Sequence, residues 1–195
     1  MKFFLATKNK HKIEEFKRIL NPLGIETLSE HNIDNPLTDV DETGATFEEN
    51  AILKAKSAMI QTGLPSIADD SGLCVDYLDG EPGIYSARFA GEPTDNDKNN
   101  EKLLTLLKDV PKEQRTAKFV CVIACVFPDG RTFTVNGECK GYIGFSPCGN
   151  KGFGYDPLFV SELGCFGELT EVNKDSISHR GRALECFCNE VKNYI

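Results

Sequence analysis

Thr7-Lys8-Asn9-Lys10-His11-Lys12 puts a hydroxyl, an amide and three lysines within six residues. Where a strand end meets a helix start, free backbone N–H groups and the positive end of the helix dipole favour an anion, and lysine ammonium groups add point charges. The spacing is not that of a Walker loop, and alone it fits a solvated, lysine-rich helix start equally well. Asp69-Asp70-Ser71-Gly72 follows a short apolar stretch, with Asp41 and Glu42 upstream. Carboxylates brought together can hold Mg2+, which takes oxygen ligands and bridges to phosphates, and one of them can orient or deprotonate water. A turn built on Asp69 with a solvated Asp70 is the competing interpretation.

Gly152-Phe153-Gly154-Tyr155-Asp156-Pro157 sets two glycines around an aromatic and an acid beside a proline. Such a loop can present Phe153 for stacking on a base and Asp156 as an acceptor, although a turn with a core Phe looks similar. Lys174 precedes Ser178-His179-Arg180-Gly181. His and Arg side by side can donate to a carbonyl or phosphate, and Arg does so bidentately. In isolation His179 also fits a satisfied structural histidine. His11 and His31 form no HxxxH spacing with it, so neither a histidine metal site nor a Ser-His-Asp triad is indicated.

These segments need elements to hold them. Lys2 to Ala6 reads as a buried strand, and Ile13, Phe16, Ile19 and Leu20 follow at helical spacing with Gly24 placed to end the helix. Ile25 to Leu28 reads as a second strand. Asn32 to Gly44, with Pro36, Asp34, Asp39, Asp41 and Glu42, suits an exposed loop. Thr46 and Glu49 form a capping-box pattern before Ala51, Ala55, Ala58 and Met59, a small-residue face that Gly63 and Pro65 terminate. Ser66 to Ala68 predicts a short strand that delivers Asp69 and Asp70 at its end. Thr94 and Asp97 are placed to cap a helix that buries Leu103, Leu104, Leu106 and Leu107. Phe119 to Phe127 reads as a central strand, Pro128-Asp129-Gly130 as a hairpin turn, and Arg131 to Val135 as the returning strand. Five glycines from Gly141 to Gly154 predict irregular backbone close to a ligand, and a last helix is expected over about Arg182 to Lys192. Strands alternating with helices, plus one hairpin, predict an α/β domain with a mixed sheet.

The bulk properties narrow the field. The 195 residues suit a single domain, 1–195, and 13 Phe with no Trp supply aromatic bulk for its core. A net charge of -8 argues against broad electrostatic binding to nucleic acid or an anionic membrane, so any phosphate must be held locally. No run reaches the length of a membrane span or a signal-peptide core, which predicts a cytoplasmic protein. Eight Cys are irregularly spread without a CxxC pair, which favours reduced thiols over disulfides or structural zinc.

In order and separation these segments resemble the inosine triphosphatase family, the Ham1-like non-canonical purine NTP pyrophosphatases. The resemblance spans nearly the whole chain: Thr7 to Lys12, Asp41-Glu42-Thr43-Gly44, Phe47 to Ala51, Ala68 to Leu73, Pro82-Gly83-Ile84-Tyr85-Ser86-Ala87-Arg88, Gly152 to Pro157 and Ser178 to Gly181. It implies Mg2+-dependent hydrolysis of inosine, deoxyinosine and xanthosine triphosphates to the monophosphate and pyrophosphate. By motif, Asp70 is the implied base and metal ligand and Asp41 the second metal-side carboxylate, with Glu42 adjacent. Ser71 is implied to touch substrate, Thr7, Lys8, Asn9, Lys10, His11 and Lys12 to bind the triphosphate, and Phe153, Gly154, Tyr155 and Asp156 the nucleoside. Lys174, His179 and Arg180 are assigned to phosphate or the 6-oxo edge of the purine. The implied fold is a mixed α/β sheet flanked by helices, in two lobes around a substrate cleft, as a homodimer. A metal-dependent phosphatase or kinase-like transferase, which would release or transfer a single phosphate, and a noncatalytic nucleotide sensor are the competing functions.

Overall fold

The structure, a computed structural model, describes residues 2–33, 36–38 and 40–194; Asp34 and Asp39 of the predicted acidic loop lie outside them. Its strands are β1 (Lys2–Leu5), β2 (Glu26–Leu28), β3 (Ser66–Val75), β4 (Thr116–Val126), β5 (Thr132–Ile143), β6 (Phe159–Ser161) and β7 (Gly164–Cys165). They form one sheet in the order β2-β1-β3-β4-β5-β6-β7. β1 pairs in parallel with β2 and β3, whereas β5–β6 and β6–β7 are antiparallel, so the sheet is mixed as expected. The flanking helices are α1 (Lys10–Leu20), α2 (Phe47–Thr62), α3 (Asn96–Leu106), α4 (Glu171–Ile177) and α5 (His179–Glu190). Among the described residues no helix is long and apolar enough to cross a membrane.

The chain divides into two compact units. The first comprises residues 1–70, 121–137 and 180–195. Its larger core joins Phe3, Leu5, Phe16 and Leu20 to Ile123, Phe127, Phe133, Leu184 and Phe187. A smaller one sets Ala51 and Ala55 of α2 against Ala68 of β3 and Ala124 and Val126 of β4. Methyl-sized side chains let the α2 backbone approach the sheet closely, which later fixes what its polar residues can reach. Thr46 caps α2 by accepting from Glu49 N–H, but the Glu49 carboxylate accepts from Ala45 N–H rather than closing the expected box on Thr46.

The second unit comprises residues 71–120 and 138–179, with a core of Leu73, Leu103, Leu107, Phe119, Phe159 and Phe166. Asp95, not Thr94, caps α3, accepting from Asp97 and Lys98 N–H. Leu103 and Leu107 are buried while Leu106 is 45% exposed, because the 3.6-residue period carries position 106 off the buried face. β5 is longer than expected, running on to Ile143 because Tyr142 and Ile143 pair with Val160 and Phe159. Cys148 and Cys165 are joined in a disulfide, which corrects the expectation of reduced thiols at that pair. The fully buried Cys121 and Cys125 have thiols pushed up to about 12 by burial, as inert core groups do.

Candidate active site

In the first unit two adjacent aspartates of β3 have opposite surroundings. They lie within a continuous ten-residue strand rather than at the end of a short one. Alternation along the strand sends Asp69 and Asp70 to opposite faces. Asp69 is buried, with Lys12 Nζ 2.9 Å from its Oδ2 and the Arg180 Nε and Nη2 donating to the same oxygen at 3.3 and 3.2 Å. Arg180 Nη1 also donates to Glu15 Oε2 of α1. Burial alone would raise the Asp69 carboxyl, but Lys12 and Arg180 outweigh it and hold the group well below the usual carboxylate range.

Asp70 pairs with Lys54. Its Oδ1 lies 2.9 Å from Lys54 Nζ, and the same ammonium lies 3.1 Å from Glu42 Oε1. Burial raises the Asp70 carboxyl above its ordinary value, and Lys54 only partly opposes the rise. Burial would lower Lys54, yet Asp70, Asp69 and Glu42 raise it, so it stays a cation at neutral pH. Asp69 is therefore a locked counter-ion, and Asp70 is a carboxylate with appetite for a proton. Asp41 is exposed and Glu42 is half-buried with its carboxylate turned to Lys54, so of the two adjacent acids Glu42 joins the Asp70 cluster.

The lysine-rich segment begins α1. Asn9 is the cap, its Oδ1 accepting from His11 and Lys12 N–H, and Thr7 Oγ1 accepts from Asn9 N–H. Two of the helix amides expected to be open to an anion are thus met by Asn9 itself. Lys8, Lys10 and His11 lie at the surface, whereas Lys12 turns inward to Asp69.

The second unit builds a separate constellation. Asp156 is buried, and its Oδ2 accepts from Phe153 N–H at 2.8 Å and from Lys174 Nζ at 2.7 Å. Lys174 Nζ also lies 5.0 Å from the centre of the half-buried Phe153 ring. Tyr155 is buried with its hydroxyl donating to Ser86 O, and burial pushes that hydroxyl up, so it supports the loop from beneath. Ser86 in turn accepts from Leu73 N–H, two residues after the half-buried Ser71. Gly154 O accepts from Asn100 of α3. His179 is buried with its ring stacked on Phe119, centroids 4.6 Å apart. It and Arg180 occupy the first turn of α5, which starts earlier than the sequence pattern suggested.

Gly152 adopts φ 76°, and a Cβ there would overlap the Asp156 carboxylate. Gly152→Ala is expected to break the Asp156 clamp, costing about 1–3 kcal/mol of stability and raising KM more than it lowers kcat. Chemical denaturation with steady-state kinetics checks this.

A pH effect on stability follows from Asp69. Its folded-state pKa lies below the unfolded value, so its contribution is complete above the ordinary carboxylate pKa of about 3.9 and is lost as pH falls below it. Asp70, raised on folding, runs the other way. Urea midpoints measured from pH 6 downward are expected to fall more steeply for wild type than for Asp69→Asn.

Lys54 and Glu15 were not singled out by type or motif, Asn50 entered only as part of the Phe47 to Ala51 segment, and Glu42 was named beside Asp41 as the neighbouring acid. Lys54 and Asn50 carried one usable signal, their i, i+4 spacing beside the alanine face of α2.

The chain is similar to known proteins over nearly its whole length. A model described as the Ham1 family matches residues 3–190. A dITP/XTP pyrophosphatase of Desulforamulus reducens is 52% identical over 187 residues, covering 95% of this chain and 92% of the relative. One from Geobacter sulfurreducens is 52% identical over 182 residues, covering 92% and 91%. Among solved structures, the Staphylococcus aureus Ham1 protein superposes with a TM-score of 0.86 at 39% identity over 100% of both chains. A HAM1 protein from Coxiella burnetii gives 0.88 at 36% identity over 99% of each.

Proposed function

The chain belongs to the Ham1 family, and on that premise we propose that it hydrolyses the non-canonical purine triphosphates ITP, dITP and XTP to the monophosphate and pyrophosphate, clearing them from the nucleotide pool. That role implies a cytoplasmic enzyme, and a homodimer is the proposed assembly. The observation that supports the chemistry most is the convergence of Asp70 Oδ1 and Glu42 Oε1 on one cation, Lys54 Nζ.

Two carboxylate oxygens already gathered around a positive charge fit Mg2+, the proposed cofactor, with Asp70 and Glu42 as its protein ligands in preference to the exposed Asp41. Among the described residues no group of three or more His, Cys, Asp or Glu is placed to hold a metal alone, so triphosphate oxygens and water would complete its shell. When bound, the metal neutralises phosphate charge and acidifies water. The chain's own groups do the rest. Asp70 accepts a proton from the water added across the α–β phosphoanhydride. Lys54 stabilises negative charge as it builds on the phosphates, and Lys8 and Lys10 supply further charge. Arg180, buried between Asp69 and Glu15, holds Lys12 and α1 in place through Asp69.

For base selection we assign Phe153 to stacking and Lys174 to donation toward a 6-oxo group. A 6-amino group would leave that donor facing a donor, a mismatch of about 1–3 kcal/mol. Steady-state comparison of dITP, XTP and ITP with dATP and ATP tests this: kcat/KM should favour the oxo-purines by at least about tenfold, and equal values would refute the assignment.

A further inference from the structure

Helix α2 reaches Asp70 twice. Lys54 Nζ lies 2.9 Å from Asp70 Oδ1, and one turn earlier on the same ridge Asn50 Nδ2 donates to Asp70 Oδ2 at 3.3 Å. Each carboxylate oxygen thus has its own partner, one charged and one neutral. Asn50 is fully buried, so it has no surface with which to touch substrate. Its other polar atom, Oδ1, accepts from Gly44 N–H at 2.8 Å. That approach requires glycine, because a Cβ on residue 44 would lie 2.6 Å from Asn50 Oδ1 and 2.7 Å from Glu49 Cβ. Gly44 stands two residues after Glu42, whose carboxylate meets the same Lys54. One buried amide therefore ties the middle of β3 to the backbone that carries Glu42, and its orientation is fixed because only its oxygen can accept from Gly44.

We propose that Asn50 is the positioning residue of the site: it sets the plane of the Asp70 carboxylate and the approach of Glu42 toward it. This rests on the assignment of Asp70 as the base. Lys54, on a long flexible stem, supplies charge but constrains that plane weakly, whereas a short, buried side chain with both ends bonded constrains it strongly. Partners of this kind change rate or metal affinity by about 10–100-fold when removed.

Asn50→Asp keeps the shape and the acceptor for Gly44 but loses the donor to Asp70; Asn50→Ala loses both. With dITP and Mg2+, kcat should fall about 10–100-fold in both variants while KM changes by less than about threefold. The dissociation constant of a non-hydrolysable dITP analogue, read by calorimetry, should be equally unmoved. A folded Asn50→Asp with wild-type kcat overturns the proposal, as does a loss in which weakened analogue binding accounts for the whole effect. Should Asn50→Asp fail to fold, Asn50→Ala decides by the same criteria. Wild type assayed alongside separates the two claims. Failure of wild type to release pyrophosphate overturns the Asp70 assignment and this proposal together, and full-speed Asn50 variants of an active enzyme overturn the proposal alone.

Discussion

Asp70→Asn is expected to lower kcat by about 10²–10⁴-fold, the usual span for loss of a positioned general base, with the fold intact. The substitution preserves shape and the strand register of β3 but deletes the proton acceptor and the charge facing Lys54. Asp70 is raised by burial, so neutralising it removes an unfavourable buried charge as well as an ion pair, and the stability cost should be small. Asp69→Asn separates the two aspartates. It should weaken the protein more than it slows turnover, because Asp69 meets Lys12 and Arg180 in the interior. Steady-state kinetics with a denaturation curve for each variant checks the contrast, and wild-type kcat in Asp70→Asn would remove Asp70 from the mechanism.

Arg180→Ala is expected to cost about 3–5 kcal/mol of stability, the range for breaking a buried ion network from one side. The guanidinium is 2% exposed and donates to Asp69 and to Glu15, so its removal takes a charged partner from two buried carboxylates and opens a cavity beside them. Arg180→Lys should recover only part of the loss, since an ammonium cannot reproduce the fork that bonds both acids. Urea denaturation at pH 7 measures both. A change below about 1 kcal/mol for Arg180→Ala would mean that the network is not holding α1 and α5 to β3.

These two aspartates also show where the sequence was legible. Asp-Asp after an apolar stretch pointed to a carboxylate site, and alternation along β3 gives the two different surroundings, which adjacency alone does not reveal. Lys8 to Lys12 were legible as a basic cluster at a helix start, yet the inward turn of Lys12 to Asp69 depends on a residue 57 positions away in the chain. The mixed sheet, the hairpin after Phe127 and the alanine face of α2 followed from local pattern because each is set by short-range periodicity. Asn50 and Lys54 were given no role for the opposite reason: as single polar residues on a helix they meet Asp70 only once Ala51 and Ala55 seat α2 on the sheet. The Cys148–Cys165 bond was illegible as well, because pairing depends on Cα separation, 6.4 Å here, and not on spacing along the chain.

Product analysis tests the central claim most directly. Purified protein with dITP and Mg2+ should release pyrophosphate and dIMP in equal amounts, with no orthophosphate until an inorganic pyrophosphatase is added. Orthophosphate appearing directly, with dIDP as the partner product, would contradict the account.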